Sequence, residues 1–345
     1  MTSAAESGKA CARRGQVGTL KLIRTISELR QTLRPERRAG RTVGLVPTMG
    51  YLHRGHMALV DRARAASDVV VVTIFVNPTQ FGPNEDLASY PRDLDADMAL
   101  CRTHGVDIVF APDVPEMYPE PMQTTIDVAP LSTILIGIDR PGHFQGVATV
   151  VAKLFNIAQP DFAFFGEKDF QQLTVIRRMV RDLSLPIEIV GVPTVREADG
   201  LAASSRNVRL SAEDRAAAAV ISQALDRAEA MVAAGEADPR KVVAAVRAFI
   251  ADESRATIRS IDLRQSRTLA SVERIATDAL AADPVVVLVT ARFGDVLLID
   301  QREIGGGTPL SKENRHERPD PHPADDRPGD PRAQGRRSDR RADLL

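Results

Sequence analysis

The segment Val69–Val76 constrains the fold of this chain more than any other. It reads Val-Val-Val-Val-Thr-Ile-Phe-Val, so it lacks the alternation of apolar and polar residues that a half-exposed strand shows. A strand of this composition is buried on both faces, which is typical of a parallel sheet covered by helices on its two sides. Similar apolar segments alternate with helical patterns over residues 18–193. The sequence therefore predicts an α/β fold with a Rossmann-like, doubly wound parallel sheet.

The elements predicted for this first domain follow one another in a regular order. The strands are Thr42–Val46, Val69–Val76, Asp107–Phe110, Asp161–Phe165 and Ile187–Val192, and the helical patterns are Ser27–Thr32, Met57–Ser67, Leu94–His104, Val147–Ala158 and Phe170–Leu183. In a doubly wound sheet, ligands bind beyond the carboxyl ends of the strands. Most of the motifs described below fall at such ends.

A smaller C-terminal α+β domain is predicted over residues 194–304 and interpreted as a lid. Its elements are a helix over Ala212–Ala234, with Ser211 as N-cap and Asp214 as capping-box partner, a helix over Pro239–Ala251, and strands over Ile258–Leu263, Val285–Ala291 and Asp295–Ile299. Residues 1–17 are small and polar, and residues 305–345 are rich in Pro, Asp, Arg and Glu without an aromatic residue. Such segments cannot bury a core, so both are predicted to be disordered.

The composition excludes several classes of protein. The 345 residues carry a net charge of −1, which gives no electrostatic reason to expect a nucleic-acid or anionic-membrane partner. The two cysteines, Cys11 and Cys101, do not indicate a disulfide framework, which fits a reducing compartment. The apolar runs are too short to span a bilayer, and the first residues lack the apolar core of a signal peptide. We therefore expect a cytoplasmic protein.

A glycine-containing turn with two histidines follows the first predicted strand. The segment 46–56 reads Val-Pro-Thr-Met-Gly-Tyr-Leu-His-Arg-Gly-His and leads directly into a helix. Gly55 lets the backbone approach a phosphate, and the helix N-terminus attracts the anion. His53 and His56 are three residues apart, so one helical turn places them on the same side. Two imidazoles there suit attack at the α-phosphorus with departure of pyrophosphate, which favours nucleotidyl transfer over γ-phosphoryl transfer.

Other interpretations of this turn remain open at this point. A His-x-Gly-His sequence also occurs in ordinary surface turns, and its spacing suits two metal ligands. However, no acidic or cysteine partner lies nearby at a zinc-type spacing. The chain also lacks a Walker phosphate loop and a Gly-x-Gly-x-x-Gly fingerprint, which argues against P-loop kinases and classical dinucleotide enzymes.

Two polar motifs follow later strands. Asn77 and Gln80 come after Val69–Val76 and carry amides that suit a hydroxyl- or carboxylate-bearing small molecule, although an Asn-Pro turn is the alternative. The segment Gly166–Asp169 follows the strand that ends at Phe165. Within it Lys168 can reach a phosphate, and Asp169 can cap the next helix. Gln171 and Gln172 come next, and one of them is expected to face the site.

Two more motifs complete the set. Ser204, Ser205 and Arg206 form a good clamp for phosphate oxygens, although a Ser/Thr turn and a surface ion pair are the alternatives. Arg140 and His143 precede a helix and fit either a substrate contact or a contact within the protein's own loops.

In this order the motifs resemble the pantothenate synthetase (pantoate–β-alanine ligase) family of the cytidylyltransferase-like superfamily, over roughly residues 18–304. The resemblance rests on Pro47–Gly50 with Leu52–His56, Phe75–Phe81, Arg140–Phe144, Gly166–Asp169 with Gln171 and Gln172, and Asp199–Leu201 with Ser204–Asn207. It implies that ATP adenylates the pantoate carboxylate with release of pyrophosphate. The amine of β-alanine then attacks the pantoyl adenylate to give pantothenate and AMP.

The resemblance also implies residue roles. His56 is the expected catalytic, proton-donating residue; Gln80 and Gln172 would bind pantoate, and Gln80 also β-alanine. The expected ATP-binding residues are Met49, Gly50, Tyr51, Leu52, His53, Arg54, Gly55, His56, Gly166, Glu167, Lys168, Asp169, Val195, Ala203, Ser204, Ser205 and Arg206. Val195 would line the adenine pocket. Mg²⁺ would bridge the phosphates, no other metal site is expected, and the family implies a homodimer.

Two positions depart from the family pattern. Ile136 stands where the family usually has a Glu before Arg-Pro-Gly-His-Phe, and Ala203 stands where a Met is common. If that Glu orders Arg140 or His143, the loop is expected to be looser here. A non-catalytic ATP-binding protein is one alternative, but the retained His53 and His56 argue against it. A nucleotidyl transferase acting on a phosphate ester is another, but it would need cations for the acceptor phosphate where this chain has uncharged amides.

Deletion of residues 306–345 is expected to leave ligase activity and dimerisation close to those of the full chain. The reason is that the tail lacks residues that could form a core. Product formation and oligomeric state of the truncated and full chains test this. A collapse of either quantity in the truncated chain would contradict the interpretation of the tail as a solvated extension.

Overall fold

The structure, a computed structural model, describes residues 19–83, 85 and 87–305. The predicted disordered segments, 1–17 and 305–345, lie outside the described residues apart from Gly305.

A six-stranded parallel sheet forms the larger half of the described chain. Its strands, in spatial order β1-β4-β3-β2-β5-β6, are β1 (Lys21–Ile23), β2 (Val43–Thr48), β3 (Val69–Ile74), β4 (Ile108–Phe110), β5 (Phe162–Gly166) and β6 (Glu188–Val192). Every residue of β3 is buried except Ile74, as the apolar sequence predicted. The predicted α/β fold with a doubly wound parallel sheet is therefore confirmed. Sequence analysis missed β1, an edge strand of three residues with only Ile23 buried.

Helices cover both faces of this sheet. They are α1 (Ile26–Arg38), α2 (Arg54–Ala66), α3 (Leu94–Thr103), α4 (Val114–Met117), α5 (Ile136–Asp139), α6 (His143–Ala158) and α7 (Phe170–Asp182). Val69 and Val71 of β3 lie in one core cluster with α1, α6 and α7, whereas Val70 and Val72 lie in another with α2 and α3. Successive residues of a strand point to opposite faces, so the continuous apolar run serves both cores at once.

The ends of several helices differ from the prediction. Helix α1 continues through Pro35 to Arg38, held on the sheet by the buried Leu29 and Leu33. The helix predicted from Val147 begins at His143, after Gly142 in the left-handed region (φ +82°). The single-turn helices α4 and α5 were missed, because four residues carry too little periodicity to be recognised.

A three-stranded antiparallel sheet and three helices make up the smaller half. Their bounds are α8 (Ala212–Ala217), α9 (Val220–Ala233), α10 (Pro239–Ala251), β7 (Ala256–Gln265), β8 (Val285–Phe293) and β9 (Val296–Ile304), and the strand order is β7-β8-β9. One face of this sheet packs on α9 and α10 in a separate apolar cluster. On the other face, Val286 joins the main core near the start of β8.

The single helix predicted over Ala212–Ala234 is wrong, because the chain leaves the helix at Ala218 and Ala219. Helix α8 has no buried residue, whereas α9 buries Ile221 and Leu225. The packing of α9 therefore sets the direction of that helix, and an alanine-rich sequence alone cannot reveal where the first helix ends. Ser211 caps α8 as predicted, but the side chain of Asp214 accepts the Ser211 hydroxyl and pairs with Arg255 (2.9 Å).

The strand order places a topological switch point between β2 and β5. Strand β2 pairs with β3 on one side and with β5 on the other, so the connections leave in opposite directions. Their carboxyl ends are neighbours at the place where open α/β sheets bind ligands. The histidine turn follows β2 and the Gly166–Asp169 segment follows β5, so both motifs meet there.

Candidate active site

The turn after β2 has a strained backbone that a buried carboxylate fixes. Gly50 and Tyr51 both have positive φ, +85° and +52°, a conformation that is unfavourable for Tyr51. The Asp97 carboxylate on α3 is 2% exposed and accepts the N–H groups of Tyr51 (2.9 Å) and Leu52 (2.6 Å). Burial raises the pKa of Asp97, although the two backbone N–H groups oppose the rise. The orientation of the histidines therefore depends on a carboxylate from another helix.

His53 and His56 form a capping box at the start of α2. The Nδ1 atom of His53 accepts the N–H of Gly55 (3.1 Å), and the Nδ1 atom of His56 accepts the N–H of His53 (3.2 Å). The two ring centroids lie 4.1 Å apart, as expected from their spacing in sequence. A Cβ atom at Gly55 would come within 2.8 Å of the His53 ring, so this position leaves no room for a side chain.

Both rings are neutral hydrogen-bond donors. A backbone N–H can only donate, so Nδ1 of each ring is unprotonated and the hydrogen lies on Nε2. Burial lowers the pKa of His53 to about 4, with Lys168 adding to the effect. Burial also lowers the pKa of His56 to about 3, with the neighbouring His53 adding to it. At neutral pH the two histidines therefore present two Nε2–H groups and carry no charge.

Gln80 lies beside this turn and is positioned by buried neighbours. Its side-chain amide donates to the Met49 sulfur (3.2 Å) and accepts from the Asn77 amide (3.1 Å). Asn77 is 1% exposed, and its Oδ1 accepts the Tyr118 hydroxyl (2.8 Å). A Cβ atom at Gly146 would lie 2.3 Å from the Thr79 carbonyl oxygen, so α6 packs directly on the Gln80 backbone segment. Asn77 thus serves as a structural support, and Gln80 is the amide that it positions.

Glu85 orders Arg140, in the loop that was expected to be looser because of Ile136. Arg140 Nε donates to Glu85 Oε1 (2.7 Å), and its Nη1 atom lies 3.1 Å from Nε2 of His143. His143 in turn bonds through Nδ1 to the Gln80 carbonyl oxygen (2.8 Å). The loop that was expected to be looser is therefore held by a carboxylate from a different segment.

Gln171 secures the same loop through its side-chain amide, and both Gln171 and Gln172 line the neighbouring cavity. The Gln171 amide is 3% exposed, donates to the carbonyls of Leu131 (2.9 Å) and Ile134 (2.8 Å), and accepts the N–H of Ile136 (3.1 Å). The expectation that one of the two glutamines faces the site fits Gln172, since the Gln171 amide is engaged within the protein.

The segment after β5 separates three side chains that are adjacent in sequence. Lys168 and Asp169 line the cavity, with Lys168 Nζ 3.8 Å from the Asp169 carboxylate. The Glu167 side chain instead lies against Gly191 and Arg177, and burial raises its pKa. The predicted cap by Asp169 is wrong, because its side chain makes no hydrogen bond to the start of α7. Its φ and ψ (−91°, 59°) do not match the extended backbone of a usual N-cap residue.

The segment 195–206, which follows β6, supplies further residues to the site. Ser204 accepts the N–H of Arg206 (3.2 Å) at the start of a short 3₁₀ helix, so it caps a turn, and both residues line the cavity. The Val195 carbonyl oxygen accepts the N–H of Ala203 (2.8 Å), and the Ala203 Cβ lies 3.8 Å from a Cβ built on Gly55. The small Ala203 therefore packs against the histidine turn.

A cavity of about 460 Å³ lies between the two halves of the fold. It is lined by parts of segments 136–144, 168–172 and 204–209 and by the antiparallel sheet. Six cations line it, namely Arg140, Lys168, Arg206, Arg209, Arg259 and Arg292, against the four carboxylates Glu85, Asp139, Asp169 and Asp295. His53 and His56 do not line the cavity, but the charges of Lys168 and Asp169 both act on them. The arrangement can hold a polyanion next to two neutral donors.

The structure thus brings part of the predicted set together. Lys168, Asp169, Gln172, Ser204 and Arg206 share the cavity, and Met49, Gln80 and the two histidines lie around the adjoining turn. Arg54 pairs with Glu197 (2.5 Å), and Glu167 faces Arg177. Neither these two residues nor Val195 and Ser205 line the cavity.

Sequence reasoning missed Asp97, Glu85, Arg209, Arg259 and Arg292. For Asp97 a signal was present, because it occupies the same helical face as the buried Cys101. A charged residue on a buried face implies a specific partner.

Comparisons with known proteins agree on one family. The family model for pantoate-beta-alanine ligase matches residues 21–303. Curated relatives named pantothenate synthetase, from Agrobacterium fabrum and Sinorhizobium medicae, are each 56% identical over 83% of this chain and 96% of their own. A pantothenate synthetase structure from Thermus thermophilus has a TM-score of 0.75 at 47% identity, covering 82% of this chain and 98% of that one. Pantoate-beta-alanine ligase from Francisella tularensis, complexed with beta-gamma ATP and beta-alanine, has a TM-score of 0.67 at 30% identity, covering 84% and 99%.

Asp97→Asn is expected to lower the free energy of unfolding by about 1–3 kcal/mol. The amide offers one acceptor where two backbone N–H groups need partners, so one buried donor is left unsatisfied. Urea unfolding measures the change, with Asp95→Asn at an exposed position of α3 as the matched control. Equal stabilities of the two variants would show that the carboxylate does not hold the turn.

Folding stability is expected to fall as the pH drops from about 6.5 towards 4. Histidines of the unfolded chain take up protons in this range. His53, His56 and His143 do not, because their pKa values in the folded chain are about 4, 3 and 4. At pH 5 each histidine contributes a loss of up to about 2 kcal/mol. Urea unfolding at pH 7 and pH 5 should show a smaller loss for His56→Gln than for the unmodified chain.

Proposed function

This chain belongs to the pantoate–β-alanine ligase family, whose enzymes form pantothenate, and we propose that it joins pantoate to β-alanine through a pantoyl adenylate made from ATP. One observation supports this route above the others. Lys168, Ser204 and Arg206 line one cationic cavity beside the neutral His53–His56 turn. A triphosphate needs the cations, and the charge that develops at its α-phosphate needs nearby hydrogen-bond donors.

In the first step a pantoate carboxylate oxygen attacks the α-phosphorus. A carbon–oxygen–phosphorus anhydride forms, the bond from Pα to the bridging oxygen breaks, and pyrophosphate leaves with the electron pair. The Nε2–H groups of His53 and His56 stabilise the charge that develops on the phosphate oxygens. Lys168, Ser204 and Arg206 hold the phosphates, and the polyanion raises the pKa of His56 towards the range in which it can donate a proton.

In the second step the amine of β-alanine attacks the pantoyl carbonyl carbon. An amide bond forms, the carbon–oxygen bond to AMP breaks, and the amine loses its proton. Gln80 and Gln172 bind pantoate, and Gln80 also contacts β-alanine. The support for Gln80 is its position, since Asn77 and Met49 fix its amide beside the histidine turn. Val195 and Ala203, next to that turn, border the adenosine.

Magnesium accompanies ATP in this proposal. Among the described residues, no three His, Cys, Asp or Glu side chains form a metal-binding group. Mg²⁺ does not require such a group, because it is commonly held by substrate phosphates and one or two carboxylates. Asp169 on the cavity wall would supply the carboxylate, and the ion would offset phosphate charge.

We further propose a cytoplasmic homodimer that has no nucleic-acid or membrane partner. The net charge of −1 gives no electrostatic reason for a nucleic-acid partner, and no helix of the described residues is long and apolar enough to cross a membrane. We retain the division into domains 18–193 and 194–304 as part of the same proposal. The two sheets with their separate apolar clusters support it.

Product analysis with ATP, magnesium, pantoate and β-alanine, omitting each in turn, tests the function. Pantothenate and AMP in equal amounts, dependent on both organic substrates, are the expected result. ADP in place of AMP would exclude the adenylate route. ATP binding without product would favour a non-catalytic binder, and Ile136→Glu and Ala203→Met would then be the first changes to make.

His56→Ala is expected to lower turnover by at least about 10²-fold. It should lower the free energy of unfolding by only about 1 kcal/mol, because the side chain also accepts the His53 N–H at the start of α2. Steady-state rates and urea unfolding measure the two effects. His104→Ala, outside the cavity, is the control. A folded His56→Ala variant with unchanged turnover would remove His56 from the mechanism.

A further inference from the structure

The antiparallel sheet presents a polar face to the cavity. Along β8, Val289, Ala291 and Phe293 belong to the apolar cluster of the smaller half, while the alternate residues Thr290 and Arg292 line the cavity. Strand periodicity requires this separation, because successive side chains point to opposite faces. Arg292 is therefore held in place by the packing of its two neighbours.

A β-bulge brings a second arginine to the same wall. The register of β7 on β8 pairs Ile258 with Ala291 and Ser260 with Thr290, which leaves Arg259 as the extra residue. Bulges commonly redirect one side chain at a functional surface. Arg259 lines the cavity together with Arg292, Lys168 and Arg206.

Neither arginine has a carboxylate within ion-pair distance among the described residues, although Asp295 in the β8–β9 turn lines the same cavity. Other arginines of the fold are paired, such as Arg140 with Glu85 and Arg196 with Asp300. Like charges lining one cavity repel each other unless an anion lies between them. The wall is therefore complementary to a ligand that carries several negative charges.

We propose that Arg259 and Arg292 bind the diphosphate portion of ATP and the pyrophosphate released from it. This inference rests on the proposed function, which places the α-phosphate beside His53 and His56. Pantoate and β-alanine each carry a single carboxylate, so they do not need a second cationic wall. Guanidinium groups bind phosphate oxygens in bidentate fashion. When the Pα–O bond breaks, the leaving group takes the electron pair, and the two arginines stabilise the added charge on it.

Arg259→Gln and Arg292→Gln test the proposal, with Arg247→Gln as the matched control. Arg247 is exposed on α10, which covers the opposite face of the sheet, and its substitution changes the net charge equally. Each cavity variant should raise the KM for ATP about tenfold and weaken pyrophosphate binding about tenfold, as expected for the loss of one charge-assisted contact. The KM values for pantoate and β-alanine and the affinity for AMP should stay unchanged. Arg292→Lys should restore part of the loss.

Comparing the binding of ATP, pyrophosphate and AMP shows which part of the nucleotide the two arginines contact. Weaker binding of ATP, of pyrophosphate, or of both, with AMP unaffected, supports the proposal and shows whether the group is held before or after bond cleavage. Unchanged affinities for both in the double variant would overturn it, and so would an equal loss for AMP. Calorimetry with pyrophosphate alone requires no turnover, so the arginine wall is tested even if the chain makes no pantothenate.

Discussion

The buried carboxylate of Asp97 is the constraint on which the site depends. Two successive residues with positive φ turn the chain back at the end of β2, and the carboxylate accepts the N–H groups exposed by that turn. The start of α2 follows immediately, so the direction of both histidine rings follows from the turn. The cost is a charge held in the interior, as its raised pKa indicates. The main role of this buried carboxylate is therefore to fix the backbone of the turn and, through it, the direction of the histidine rings.

Two kinds of side chain contribute differently to the electrostatics of the site: the histidines donate hydrogen bonds, and the lysine and arginines carry positive charge. His53 and His56 are uncharged at neutral pH and act as directed donors, whereas positive charge comes from Lys168 and the arginines. Arginine stays protonated at any physiological pH. The positive charge that Lys168 and the arginines offer to a polyanion therefore does not depend on the protonation of the histidines, and the histidines are left to respond to the bound phosphates.

The sequence predicted the parallel sheet because a run such as Val69–Val76 has only one stable environment, the interior of a two-faced layer. Lys168, Gln172 and Arg206 were also identifiable, since each lies in the first turn of a helical segment. Arg259 and Arg292 were not. An arginine that alternates with apolar residues on a strand looks like any solvent-facing residue, and only the fold shows that the face lines a cavity. The bulge at Arg259 has no sequence signature, and the break at Ala218 is set by packing of α9.

The ion pair between Arg196 and Asp300 has a mechanical consequence. Two guanidinium nitrogens contact the nearly buried carboxylate at 2.7 and 3.1 Å, so the start of the segment that carries Ser204 and Arg206 is fastened to β9. Lys168 instead follows β5 of the parallel sheet. A ligand that spans these contacts connects the parallel sheet with the antiparallel sheet. Part of its binding free energy then stabilises the folded chain. A nucleotide that contacts both sheets should therefore protect the chain from heat and proteolysis more than a shorter one that contacts only one of them.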